Sequence, residues 1–140
     1  MITKLSHTSL FVSDQQKAYE FYVNILGFTV HTDATMDNGF RWLTVSPPEQ
    51  PDLEVILFPA TNMANGYDED VRNALTLLLD KGVMGAGAFY TPDCRATYEE
   101  LKAKGVQFKC EPKEQFYGIE AIITDGCGNW FSMTQPKEEH

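Results

Sequence analysis

The chain has 140 residues, of which 43% are hydrophobic and 22% are charged, and these fractions are typical of a single globular domain. Its formal net charge of -9 argues against nucleic-acid and membrane partners, because phosphate backbones and acidic lipids do not attract an acidic surface. No apolar run reaches the ~18 residues of a membrane-spanning helix, and the first residues lack the apolar core of a signal peptide. The three cysteines form no CxxC pair, so we expect reduced thiols and a cytoplasmic location.

The first half of the chain predicts the element order βαβββ. Asp14 is a typical N-cap for a helix that extends to Leu26 and ends at Gly27. An Asp-Asn-Gly sequence at 37–39 is a strong hairpin signal. The predicted strands are 3–12, 28–36, 40–46 and 53–59.

The same order begins again after an interruption at residues 60–83. That segment predicts a connecting helix, capped near Asp68 and ended by Gly82. Asp93 then caps a second-half helix that ends at Gly105. The predicted strands of this half are 85–91, 106–110, 119–124 and 130–135, with a loop at 111–118.

The two halves align with each other. Asp14 matches Asp93 at an offset of 79 residues, and Glu54 matches Ser132 at an offset of 78. This indicates an internal duplication. We therefore predict an α+β fold of two tandem βαβββ modules, whose curved sheets surround a cavity within a single domain, 1–140. The predicted boundaries are about 3–59 for the first module, 60–83 for the connecting helix and 84–135 for the second module.

Two motifs give this duplicated unit a family resemblance. The early motif consists of His7, Asp14, Phe21-Tyr22 and Leu26-Gly27-Phe28, and the late motif of Tyr117-Gly118, Asp125 and Gly128-Asn129. Over residues 3–135 the chain resembles the vicinal oxygen chelate superfamily, which includes glyoxalases, bleomycin-resistance proteins and extradiol dioxygenases. The resemblance is specific for the fold, but this fold hosts many activities.

The resemblance also implies four positions for the ligands of a divalent metal: the early histidine of each half and a carboxylate on its last strand. The matching positions are His7 and Glu54 in the first half and Ala86 and Ser132 in the second. Alanine has no donor atom and a serine hydroxyl is a poor ligand, so we expect no tight metal centre and no cofactor. The alternative is Ni, Zn, Mn or Fe held weakly by His7 and Glu54. His31 and Asp33 lie toward the far end of another strand, and we interpret them as solvated surface residues.

The candidate site centres on Glu54, a carboxylate between Leu53 and Val55 in an otherwise apolar strand. Alternation places the Glu54 side chain on the face opposite its neighbours. There it could be a ligand anchor, a general base or an exposed charge. His7 is expected to hydrogen-bond to Glu54, and Arg41 to pair with Glu54 or an acidic ligand, or to face outward. The predicted ligand-binding residues are His7, Arg41, Trp42, Glu54, Phe116, Tyr117, Trp130 and Ser132, with the two tryptophans as stacking surfaces for a planar ligand.

The preferred function is the binding of a small, partly apolar molecule by a homodimer whose cavities combine both halves. The alternative is a lyase, isomerase or dioxygenase that uses a metal at His7 and Glu54, or Glu54 alone as the catalytic base. A partner-binding role for 60–83 has no positive support in the sequence. The small residues at 85–88 indicate either a dimer seam or space for a ligand.

Overall fold

The computed structural model describes residues 1–60 and 66–138. The strands are β1 (His7–Val12), β2 (Thr29–Thr35), β3 (Arg41–Ser46), β4 (Glu54–Pro59), β5 (Met84–Tyr90), β6 (Phe108–Gln115), β7 (Gly118–Thr124) and β8 (Asn129–Pro136). The helices are α1 (Gln15–Tyr19), α2 (Glu69–Asp80) and α3 (Cys94–Ala103), and α1 continues as a π-helix at Glu20–Ile25. Within the described ranges, no helix has the length and apolarity required to cross a membrane.

The strands form two four-stranded sheets of the same design. Their orders are β1-β4-β3-β2 and β5-β8-β7-β6. In each sheet the first strand pairs in parallel with the last strand of its half, and the other neighbours are antiparallel. The predicted α+β fold of two tandem βαβββ modules is confirmed, and neither sheet closes into a barrel.

Each α-helix begins at the aspartate that the sequence predicts as its cap. The carboxylates of Asp14, Asp68 and Asp93 each accept a hydrogen bond from the backbone N–H three residues later. Such a bond satisfies one of the four N–H groups that a helix leaves unpaired at its start. The three helix starts therefore follow from local chemistry alone.

The first helix differs from the prediction in its second half, where the backbone widens into π-helical turns. The N–H of Leu26 bonds to the carbonyl of Phe21, five residues earlier. The consecutive side chains of Phe21 and Tyr22 are both buried there. The π-helix thus turns two adjacent aromatic rings into the core.

Strand β6 corrects a second prediction. Residues 111–118, which are charged and contain Pro112, were expected to form a loop, yet β6 runs from Phe108 to Gln115. The strand lies at the edge of its sheet, where a missing backbone N–H and charged side chains are tolerated because one side has no neighbour. Strand β1 is also shorter than predicted, since it begins at His7 rather than at residue 3.

One core joins the two halves. The fully buried Tyr22 packs against Phe131, with ring centroids 6.2 Å apart, and its hydroxyl donates a 2.7 Å hydrogen bond to Asp125. Phe28 meets Phe89 at 6.0 Å. The helix of the first half therefore contacts the sheet of the second, and the opposite faces of both sheets remain available for a site.

Candidate functional site

Each sheet has one face in the core and one open face. In β4, the side chains of Val55 and Leu57 are buried in the core, whereas Glu54, Ile56 and Phe58 alternate with them on the other side. We call this second surface the first-half face. The predicted orientation of Glu54, away from its apolar neighbours, agrees with this arrangement.

A carboxylate–imidazole cluster, made of His7, His31, Thr44 and Glu54, lies on the first-half face. Strands β1 and β4 are parallel and place His7 directly beside Glu54, with His7 Nε2 2.8 Å from Glu54 Oε2. Thr44 donates a 2.9 Å hydrogen bond from its hydroxyl to Glu54 Oε1. The Nδ1 atom of His31 lies 3.7 Å from the same oxygen. One carboxylate therefore receives three polar partners from three other strands.

Glu54 is an ionised acceptor in this cluster. The hydrogen bond from Thr44 holds the pKa of the Glu54 carboxyl below its usual range; partial burial opposes this effect, and charge interactions with His7 and His31 add to it. A carboxylate with a lowered pKa is a weak base. The geometry suits Glu54 to accept hydrogen bonds and to orient an imidazole.

Two members of the cluster, His31 and Thr44, were not among the predicted site residues. A β-bulge between Val30 and Thr32 shifts the pairing of β2 with β3 at this point. His31 lies within the bulge, and its Nε2 is 3.0 Å from the backbone carbonyl of Pro51. Val30 packs against the core, so alternation alone places His31 on the open face, whereas its approach to Glu54 depends on a strand pairing that the sequence does not show.

An aromatic wall extends from the cluster along the first-half face. Trp42 lies two residues before Thr44 in β3, and its ring centroid is 6.0 Å from that of Phe40. Phe40 contacts Phe58 at 5.6 Å, and Phe58 contacts Phe11 at 5.9 Å in an edge-to-face arrangement. The predicted stacking surface at Trp42 is thus one member of a connected group of rings.

Arg41 lies away from this cluster. Its guanidinium donates 2.8 Å hydrogen bonds from Nε and Nη2 to the two carboxylate oxygens of Asp33 and a third, at 2.9 Å, to Gln16. The same group lies over the ring of Tyr19 at 5.5 Å. The hydrogen bond from Arg41 lowers the pKa of Asp33. Arg41 is therefore bound to Asp33 on the helix side of the sheet, and the expected pairing with Glu54 is replaced by this one.

The open face of the second sheet, which we call the second-half face, has a different polar group. Ser132 of β8 donates a 2.5 Å hydrogen bond to Glu120 Oε2, and Tyr117 donates one of 2.5 Å to Glu120 Oε1. Ser132 also lies 2.8 Å from the hydroxyl of Thr134. The bond to Glu120 raises the pKa of the Tyr117 phenol. Two predicted site residues, Tyr117 and Ser132, are therefore joined through a carboxylate.

Glu120 was not predicted as a site residue, although a signal for it existed. It stands between Ile119 and Ala121 in an apolar strand, in the same way that Glu54 stands between two apolar residues. A charged side chain in such a strand indicates an open face. The same reasoning, applied to both halves, would have found both carboxylates.

The pairing of β5 with β8 corrects the predicted equivalence at position 86. Another bulge, between Gly85 and Gly87, brings Ala88 opposite Ser132. Ala86 instead packs against the core. Like Ala86, Ala88 has no donor atom, so the ligand count of the second half does not change.

Two further predicted residues lie around the second-half face. Trp130 covers Gly85, where an added Cβ would come within 2.7 Å of the indole ring. The small residue at position 85 therefore makes room for a ring of the same chain. Phe116 lies between β6 and β7 and is 87% exposed.

The four-ligand metal set implied by the resemblance does not fit these residues. The first half offers an imidazole and a carboxylate, whereas Ser132 and Ala88 occupy the paired positions of the second. In the described part of the chain, no three histidine, cysteine or acidic side chains are grouped in a way that could hold a metal ion. We therefore derive no chemical step through a metal.

The late sequence motif is a structural junction. Asp125 is 3% exposed and accepts hydrogen bonds from the Tyr22 hydroxyl, from the backbone N–H groups of Cys127 and Asn129, and from the Asn129 side chain. The Asn129 amide also donates to the backbone carbonyl of Phe11, in the first half. These bonds connect the two halves, and they leave no lone pair of Asp125 directed at either open face.

A cleft of about 740 Å³ lies between the halves on another side of the molecule. Its apolar lining includes Phe28, Phe89 and Met133. None of the predicted ligand-binding residues lines it. Ala88 and Tyr90 of β5 do line it, so the cleft reaches the edge of the second sheet without including the predicted site.

The chain matches a model of the Glyoxalase/Bleomycin resistance protein/Dioxygenase superfamily over residues 4–133. It belongs to this superfamily. The suspected resemblance is confirmed, and the superfamily's early and late motifs can now be read on the structure: Asp14 caps a helix, while Tyr22 and Asp125 join the halves.

Three similar proteins span nearly the whole chain. YurT of Bacillus subtilis (strain 168), an uncharacterized protein, is 36% identical over 134 residues, which cover 94% of this chain and 98% of YurT. The crystal structure of UcmS2 has 40% identity and a TM-score of 0.87, covering 96% of this chain and 98% of UcmS2. TnmS3, an antibiotic binding protein from Streptomyces sp. CB03234, has 28% identity and a TM-score of 0.73, covering 97% of this chain and 98% of TnmS3.

Proposed function

We propose that this protein binds a small, partly apolar molecule on its open sheet faces, without a tight metal centre. The observation that carries the proposal is the first-half face, where an ionised carboxylate with ordered hydrogen-bond partners adjoins a wall of aromatic rings. Sites for small ligands typically combine such an apolar surface with a few fixed polar groups. The likeness to an antibiotic binding protein supports this proposal.

We further propose that the binding unit is a homodimer in which the two kinds of face close around the ligand. Large apolar side chains remain exposed on the second half, with Tyr90 at 82% and Phe116 at 87%. Exposed aromatic groups of this kind are typical of an interface or a ligand cavity. Sedimentation velocity tests the dimer, since a monomer at every concentration would contradict it.

The three free cysteines support a cytoplasmic location.

A thermal-shift screen tests the binding proposal. Neutral planar aromatic compounds are expected to raise the melting temperature, whereas Ni²⁺, Zn²⁺, Mn²⁺ and Fe²⁺ are not. Phe116→Ala is expected to reduce the ligand-induced shift, because this exposed ring is a predicted wall of the site. Leu77→Ala is the matched control, since Leu77 is also exposed but lies on α2. A rise with metals and none with aromatic compounds would contradict the proposal.

The alternative is a divalent-metal-dependent lyase, isomerase or dioxygenase that uses His7 and Glu54. The observation that favours it is the approach of a second imidazole, His31, to within 3.7 Å of Glu54. Metal analysis of the purified protein and of His7→Ala separates the two functions. Stoichiometric metal in the parent that is lost in the variant would favour the enzyme.

A further inference from the structure

The second-half face carries a carboxylate, Glu120, that forms no ion pair within the described ranges. The two hydroxyl donors of Glu120 are neutral, and no lysine or arginine in the described ranges forms an ion pair with it. Lys113 lies opposite Glu120 in the pairing of β6 with β7 but is not within ion-pair distance. A carboxylate offers about four lone-pair sites, so two remain after Tyr117 and Ser132 are counted.

Glu120 also contacts Ser132, the residue of the second half that corresponds to Glu54 in the first. Ser132 aligns with Glu54, and the Glu120 carboxylate lies 2.5 Å from the Ser132 hydroxyl. The second half thus regains a carboxylate near this position, supplied by the neighbouring strand β7 rather than by β8. Both open faces therefore present one carboxylate.

The surroundings of the two carboxylates differ in what they leave for a ligand. Glu54 already has two imidazoles beside it, which can carry positive charge. Glu120 is hydrogen-bonded only to hydroxyls, which fix its orientation, and the ammonium of Lys113 on the facing strand lies beyond ion-pair distance. A partly buried anion of this kind is stabilised most by a donor that carries a full positive charge.

We propose that Glu120 anchors a protonated amine of the ligand, and that the ligand class is therefore aromatic compounds that carry an alkylammonium group. This inference rests on the small-molecule binding proposed above. The exposed ring of Phe116 packs edge-to-face with Tyr117 at 5.0 Å, and Trp130 lies two residues before Ser132 on the same strand face. Phe116 and Tyr117 give the aromatic part of such a ligand a surface beside the carboxylate, and Trp130 adds a ring farther along β8.

A bound metal ion is a poorer match for Glu120 than an amine. A divalent cation needs several oxygen or nitrogen ligands, and Glu120 belongs to no metal-binding group in the described part of the chain. An ammonium needs only a few acceptors, which the free lone pairs of Glu120 and the oxygens of Ser132 and Thr134 provide.

Three probes of similar shape and different charge test the inference: naphthylmethylamine, naphthalenemethanol and naphthoate. Their dissociation constants are measured by isothermal titration calorimetry with the parent protein, Glu120→Gln and Glu114→Gln. Glu114→Gln is the control, because it removes the same charge. The pairing of Glu114 with Ile119 places this side chain on the opposite face of the sheet. Glutamine at position 120 keeps an acceptor oxygen and removes the charge.

The parent and Glu114→Gln are expected to bind the amine about tenfold more tightly than the alcohol, with naphthoate weakest. In Glu120→Gln the preference for the amine is expected to disappear while binding of the alcohol remains. In the parent, the preference should also decrease as the salt concentration rises.

The outcomes separate this inference from the proposed function. Equal binding of amine and alcohol by the parent, or an unchanged preference in Glu120→Gln, would overturn the role of Glu120 and leave small-molecule binding in place. A preference that is independent of salt would also contradict it. If none of the three probes binds the parent, both proposals fail.

Discussion

The two halves of the molecule share a topology and differ on their open faces. In the first, the carboxylate stands on the last strand, at Glu54, and its partners are a threonine and two imidazoles. In the second, Ser132 occupies that position, the carboxylate has moved to Glu120 and its partners are hydroxyls. A duplicated unit can exchange its open-face side chains in this way because their packing does not determine the fold.

In the buried junction around Asp125, by contrast, the side chains are held by packing and hydrogen bonds that the fold requires. The carboxylate of Asp125 is fully occupied: it accepts one hydrogen bond from Tyr22 of the first half and three from Cys127 and Asn129 of its own turn, and Gly128 of this turn lies against helix α2. Changes here are expected to affect folding, whereas changes on the open faces are expected to affect titration and ligand binding.

Of the substitutions considered in turn below, Gly128→Ala is expected to be the most destabilising. A Cβ at this position would lie 2.6 Å from the Cα of Leu79, and the backbone has a φ of +105°. The clash and the strained backbone together should cost about 3 kcal/mol or more in unfolding free energy, measured by urea denaturation. Gly126→Ala is the matched control, since its φ is also positive but no atom lies within 4 Å of the added Cβ.

Gly126→Ala is expected to lose only about 1–2 kcal/mol, from backbone strain alone. Equal losses in the two variants would show that α2 does not pack on this turn as described. The comparison thus measures the contact between α2 and the second half separately from the cost of a positive φ.

Asp125→Asn is expected to cost about 2–3 kcal/mol by the same measurement. The asparagine amide replaces one accepting oxygen by a donor, which then faces the donors that Asp125 now satisfies. Asp52→Asn makes the same chemical change in a side chain that is 73% exposed and 3.8 Å from Lys4, and should cost less than about 0.5 kcal/mol. A loss as small as this in Asp125→Asn would refute the structural role of the late motif.

The sequence predicted the features of the fold that depend on local chemistry or on the duplication. Caps such as Asp14 and Asp93 act within one turn of helix, so local chemistry is enough to predict them. The duplication predicted the topology of the second half from the first. The pairing of His7 with Glu54 was expected from the positions that the resemblance implies, and the parallel strands β1 and β4 place the two residues side by side.

The errors occurred where tertiary context overrides local pattern. One bulge interrupts the strand pairing at His31, and another, between Gly85 and Gly87, brings Ala88 rather than Ala86 opposite Ser132. The charged segment 111–118 was interpreted as a loop. Most of it is an edge strand, and a position at the edge of a sheet is set by neighbouring strands rather than by local sequence. Arg41 pairs with Asp33 across β2 and β3, a contact that depends on register.

On the first-half face, Thr44→Val is expected to raise the pKa of Glu54, because it removes the hydrogen bond that lowers this pKa most. A carboxyl whose folded pKa is lowered contributes stability above its unfolded pKa and loses it as the pH falls through the folded value. The variant should therefore lose less stability in acid than the parent does. Titration of the carboxyl carbon by NMR measures the shift, with Asp33 as the internal control. An unchanged Glu54 titration would remove Thr44 from the cluster.

The smallest effect is expected on the second-half face, where Glu120→Gln should lower the pKa of Tyr117 toward its ordinary value. The hydrogen bond to the charged carboxylate favours the protonated phenol, so removal of the charge makes the proton easier to lose. Ultraviolet difference titration of the parent against Tyr117→Phe isolates this phenol. Ser132→Ala is the control, because it keeps the bond between Tyr117 and Glu120. A Tyr117 titration that moved as far in Ser132→Ala as in Glu120→Gln would mean that the cluster as a whole, rather than the charge of Glu120, controls this face.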